Sequence, residues 1–107
     1  MPTLGKVELK ADKDVSAGVE TSLSELFPSS ERNKMFSLEG DVTRDKTKLK
    51  VTVAKLGSLD ATADTGKKKG ENTSLWMLTK ASDFSKKVKA SEAIKKGDVL
   101  AVTVESV

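Results

Sequence analysis

Neither cysteine nor histidine occurs anywhere in the 107 residues. Without thiols the chain has no disulfide staple and no thiolate metal site, and its redox compartment cannot be read. Without imidazole, the usual zinc sites and histidine catalysis drop out together. Tyrosine is absent too, and the aromatic set is Phe27, Phe36, Phe84 and Trp76. The core must therefore be built mainly from Val, Leu and Ala, which favours many thin elements over one thick helix bundle. Long hydrophobic runs are also missing. Leu75-Trp76-Met77-Leu78 and Val99-Leu100-Ala101-Val102 are far too short to cross a bilayer, and Met1 to Lys6 lacks the apolar centre of a secretory signal. The expectation is a cytoplasmic chain with no membrane partner.

What is present is charge. Nineteen Lys and Arg against sixteen Asp and Glu leave a net +3, and the only arginines are Arg32 and Arg44. Lysines offset by carboxylates in this way form a solvated surface. The length suits one domain over residues 1–107, with 1–5 as a short N-terminal arm.

Apolar residues alternate through Val7, Leu9 and Ala11, then again through Val15, Ala17, Val19 and Thr21, predicting two strands joined by a turn at Asp12-Lys13-Asp14. Thr21 to Asn33 breaks that period. Ser22 and Glu25 have capping-box spacing, Leu23, Leu26 and Phe27 are apolar, and Pro28-Ser29-Ser30 stops a helix at once, so a helical turn inside a long loop is expected. Such an apolar loop either lids the core or touches a partner.

Met35 to Thr43 and Lys48 to Leu56 alternate on either side of Arg44-Asp45-Lys46-Thr47 and read as a hairpin. Leu59 to Asp64 is a weaker alternating piece, and Gly66-Lys67-Lys68-Lys69-Gly70 a basic loop tip. Thr73 to Thr79 reads as a strand with apolar groups on both faces, Leu75 and Met77 against Trp76 and Leu78, so both faces should be covered. Lys80 to Lys96 is ambiguous: a short strand through Phe84 to Val88 with a helical turn at Ser91 to Ile94, or a helix over 82–96. The chain ends on Ile94-Lys95-Lys96-Gly97-Asp98 and an aliphatic run to Val104, a tight turn feeding a buried strand. No internal repeat and no low-complexity linker is visible. About eight short strands result, the pattern of an all-β antiparallel sandwich; a helix at 82–96 would make the class α+β instead.

Motifs for chemistry fall short. Asp12, Asp14, Ser16 and Glu20 have calcium-loop spacing, but the loop glycine is displaced to Gly18 and the twelfth position is Leu23, which cannot coordinate. The lysine loop lacks the spacing and the following helix of a phosphate-binding loop. Asp60 with Asp64, or Glu71 with Asp83, could pair as acid and base, yet nothing apolar nearby would raise one pKa. No catalytic residue, cofactor or metal is expected. Nucleic-acid binding would rest on lysines alone, since the few aromatics are wanted in the core, so specific recognition is not expected.

The segment Ile94 to Val104 resembles the last turn and strand of jelly-roll sandwiches. The whole layout, a small chain of about eight strands without Cys or His, resembles the capsid cement (decoration) proteins of tailed bacteriophages. That resemblance implies a jelly-roll β-sandwich and a non-enzymatic virion protein, made in the host cytoplasm, that bridges capsid subunits as a homo-oligomer. Leu23, Leu26, Phe27, Pro28 and Trp76 are then the candidate partner contacts, and Lys67, Lys68 and Lys69 a candidate polyanion contact. The alternative is a small basic β-barrel that binds nucleic acid.

Overall fold

A computed structural model describes residues 3–37, 48–63 and 72–107. In chain order these hold β1 (Thr3–Lys10), β2 (Glu20–Thr21), α1 (Leu23–Leu26), α2 (Ser29–Arg32), β3 (Met35–Ser37), β4 (Lys48–Val53) and β5 (Gly57–Thr62). There follow β6 (Asn72–Ser74), α3 (Leu75–Leu78), a 3-10 turn (Ala81–Ser85), β7 (Val88–Lys89) and β8 (Val99–Ser106). Each α element is a single turn, so the chain is mostly β.

The strands pair in a nested way. β1 pairs with β8, β2 with β7, β3 with β6 and β4 with β5, every pair antiparallel. A further ladder between β4 and β8 joins the outermost and innermost pairs into one sheet of order β1-β8-β4-β5, while β2-β7 and β3-β6 stay two-stranded. The described strands close no barrel. The aliphatic run after Gly97 thus becomes an interior strand, as its composition demands.

One face of the four-stranded sheet is apolar. Leu9, Leu100, Val102, Val104, Leu49, Val51, Val53, Leu59 and Ala61 are all buried, alternating with exposed or half-buried neighbours. They share one core with Leu23, Leu26, Phe27, Leu75, Leu78, Phe84 and Ile94 from the short elements. At β1 the packing is closest over Gly5, where a Cβ would lie 2.3 Å from Cδ2 of Phe36; only glycine admits the ring there.

Several expectations are corrected. The described part of the 35–43 strand pairs with β6, not with β4, whose two edges are taken by β5 and β8; the turn at 44–47 lies outside the described residues. The strand over Thr73 to Thr79 ends at Ser74, whose Oγ accepts from Met77 N at 3.3 Å and starts α3. Leu75 and Leu78 then share the buried side at i, i+3, and Met77 is 60% exposed. This is why alternation fails: the period there is helical. Lys80 to Lys96 holds the 3-10 turn and the two residues of β7, with no helix over 82–96 and no helical turn at Ser91 to Ile94. Residues 3–5, read as part of an arm, belong to β1.

A short repeat, not read from the sequence above, organises the turns. Val15 and Ile94 exchange both backbone hydrogen bonds at 2.8 Å. Gly18 N donates to Ala90 O, and in the same way Gly97 N donates to Ala11 O, both at 2.8 Å. Ala90 N donates to Val19 O, and Ala11 N to Asp98 O. Both glycines have positive φ, 84° and 95°, each inside a turn closed by Val19 N to Ser16 O or Asp98 N to Lys95 O. The two loops are related by a local two-fold axis through the Val15–Ile94 pair, with Ala11, Val15 and Gly18 answering to Ala90, Ile94 and Gly97.

Candidate partner-contact surface

The apolar stretch after β2 goes inward. Ser22 is extended and its Oγ accepts from Glu25 N at 3.3 Å, capping α1 so that Leu23 and Leu26 face one way. Leu23 and Leu26 are 0% exposed and Phe27 1%. These three, read as candidate contacts, are core residues of the isolated chain and form its lid, because three large apolar groups in sequence gain more from the core than from water. Pro28 ends α1 and opens α2, its carbonyl accepting from Glu31 N and Arg32 N at 3.0 and 2.9 Å. It is half-buried.

Trp76 is half-buried on α3. Its ring lies against Phe84, centroids 3.7 Å apart, and the Arg32 guanidinium sits 5.6 Å from the ring centroid, a cation–π arrangement. Arg32 Nη2 donates to Ser29 Oγ at 2.8 Å, which fixes the guanidinium from the α2 side. This corner is short of polar partners. Among the described residues, Trp76 Nε1, Arg32 Nε, Thr73 Oγ1 and Thr79 Oγ1 are buried with no hydrogen-bond partner, an arrangement that costs about 1–3 kcal/mol per group. Nearby in the fold, Met35 is paired with Ser74 across the β3–β6 ladder and is 55% exposed, and Met77 follows Trp76. Arg32 and Met35 were not singled out from the sequence; Met77 was, as part of the two-faced apolar stretch Leu75 to Leu78.

Elsewhere several charges are paired. Glu25 accepts from Lys87 and, at 3.2 Å, from Lys13, tying the first turn, α1 and the approach to β7 together. Those two lysines, Lys87 foremost, hold the Glu25 carboxyl down at about 2 from an ordinary 4.5. Lys34 in first place and the Lys10 amide in second lower Glu31, and the Lys95 amide with Lys55 lowers Asp98. Lys67, Lys68 and Lys69 lie outside the described residues, as do Asp64 and Glu71.

The calcium-spaced residues serve the turns. Asp14 Oδ1 accepts from Lys96 N at 2.7 Å and Asp12 N donates to Leu26 O. Among the described residues no three acidic groups gather as a metal site. An open groove of about 370 Å³ runs past Lys48, Leu49, Asp60, Thr62 and Lys86, but Lys86 is held by Asp83 at 3.2 Å. The arrangement suits docking of apolar and aromatic surface at Trp76 better than proton transfer. Compared with known proteins, the chain matches no family model, no curated sequence and no solved structure.

Proposed function

We propose that this chain is a non-enzymatic structural protein of the virion, a capsid cement that bridges neighbouring subunits in many copies. The observation that carries this reading is the nested pairing of β1 with β8, β2 with β7, β3 with β6 and β4 with β5. Such pairing is what a long hairpin ribbon makes when it rolls up and supports a jelly-roll reading, the fold used by viral capsid domains, although the described strands form one four-stranded and two two-stranded sheets. A fold does not carry a function by itself, so the contact is assigned to a surface. The half-buried Trp76, with Arg32 over its ring and Met77 beside it in α3, offers an aromatic anchor with a cation and a soft thioether around it.

Mass spectrometry of purified particles from the source should find the chain in many copies. Arg32→Ser with Met77→Ser should leave the melting temperature close to the parent's while the chain no longer binds those particles. Binding that survives the double change removes the Trp76 corner from the account. Binding to mixed-sequence duplex DNA that collapses as salt rises would favour a lysine-driven polyanion role instead.

A further inference from the structure

The four-stranded sheet has two outer edges, β1 and β5, and each is met by side chains at the place where a neighbouring strand would bind. At β1, Lys10 N donates to Glu31 Oε1 at 2.6 Å, and Lys34 Nζ donates to Glu8 O at 3.3 Å. At β5, Thr62 N donates to Asp83 Oδ2 at 3.1 Å, and Lys86 Nζ donates to Asp60 O at 3.1 Å. Alternate residues of a strand turn their N–H and C=O to the same edge. Glu8 with Lys10, and Asp60 with Thr62, are therefore the outward pairs that a further strand would use.

The two devices have one construction. Each begins with a carboxylate on a short helical turn, Glu31 in α2 and Asp83 in the 3-10 turn, followed three residues later by a lysine. Within each pair the ions touch, at 2.9 Å for Glu31 with Lys34 and 3.2 Å for Asp83 with Lys86. The carboxylate stands where a neighbouring C=O would be, and the ammonium where a neighbouring N–H would be. Each carboxylate and ammonium is tethered to its own chain beside the edge group it satisfies, so an incoming peptide group must first displace it.

We infer that Glu31–Lys34 and Asp83–Lys86 act as surrogate neighbouring strands that close both edges of the sheet to strand addition by a second copy of this chain. The second copy is the occupant because the edges suit one another. β1 carries Lys6, Glu8 and Lys10, a net positive charge, β5 carries Asp60 alone, and opposite charges on facing strands attract. The edges lie on opposite sides of the sheet. A β1 edge of one copy pairing with a β5 edge of the next is head-to-tail, does not close, and grows into a filament, the usual hazard of an open edge.

The test compares the parent, Glu31→Ala/Asp83→Ala, and Glu31→Gln/Asp83→Asn by sedimentation velocity over a concentration series. The amide variants keep an oxygen to accept from Lys10 and Thr62 and should sediment like the parent. The alanine variant should form open-ended species several-fold heavier that grow with concentration, with the Lys10 and Thr62 amides slow to exchange hydrogen in them. A folded alanine variant that sediments like the parent overturns the inference, and so does association that leaves those two amides unprotected. If the alanine variant does not fold, Lys34→Ala/Lys86→Ala takes its place and is read by sedimentation alone, since it opens the C=O of Glu8 and Asp60 while Glu31 and Asp83 still hold the Lys10 and Thr62 amides; a folded variant that sediments like the parent overturns the inference.

Discussion

Glu25 shows how one exposed side chain ties three segments. Its two oxygens reach Lys13 on the turn after β1 and Lys87 before β7, while its own amide is bonded to the cap Ser22. Its folded pKa is about 2 against an ordinary 4.5, chiefly because of Lys87 and then Lys13. A carboxyl lowered on folding contributes stability that is fully present above its unfolded value and is lost as pH falls through the folded one. The melting temperature should therefore decline between about 4.5 and about 2, with Glu31 and Asp98 adding in the same direction. Glu25→Gln should flatten part of that decline, and raised salt should flatten it as well, since these are surface ion pairs. Melting curves taken down that pH range for parent and variant check the sign; an equal decline in both would remove Glu25 from the account.

The elements are short, and that decides which of them were legible. α1 could be read because its signals are local: Ser22 caps it, Leu23 and Leu26 are one turn apart, and Pro28 ends it. β4 could be read from strict alternation over Leu49, Val51 and Val53, and β8 from the aliphatic run that follows the Gly97-Asp98 turn. α3 could not. Four apolar residues in a row fit a two-sided strand as well as a helical turn, and only the cap at Ser74 separates them. The lid could not be told from a docking loop, because both need the same apolar side chains and differ only in what covers them. The structure puts Phe27 at 1% exposure, so Phe27→Ser removes a filled core position. The expected loss is about 3 kcal/mol, which lowers Tm by roughly 10 °C or more in a chain of this size. Calorimetry on the isolated variant decides it, and an unchanged Tm would mean that Phe27 does not fill the core. Of the candidate site, the sequence revealed Trp76 but not Arg32, because the cation over the ring comes from an element 44 positions earlier.

At the scale of the molecule, partners are chosen by nesting, and no local pattern encodes it. Alternation tells a strand which face is inward but not which strand lies beside it. So β3 and β4, adjacent in sequence, read as a hairpin, whereas β3 pairs with β6, beyond both β4 and β5. The two-fold of the turns was hidden for a related reason. It rests on Ala11, Val15 and Gly18 answering Ala90, Ile94 and Gly97, three positions in each loop, with every intervening residue free to differ.

Nesting also gives the molecule a mechanical polarity. In the β1–β8 pair Thr3 stands opposite Glu105 at one end and Lys10 opposite Val99 at the other. A force drawing Thr3 and Val107 apart enters at a fork and peels the hydrogen bonds one rung at a time. A force applied through Thr3 and Val99 runs along both strands in opposite senses and loads every rung together. Single-molecule pulling should therefore rupture the first geometry at clearly lower force than the second, and equal forces would contradict the pairing. Gripped by both ends, the chain opens from the outside inward at the β1–β8 fork, with the β4–β8 ladder loaded at the same place, since Val107 N donates to Lys48 O.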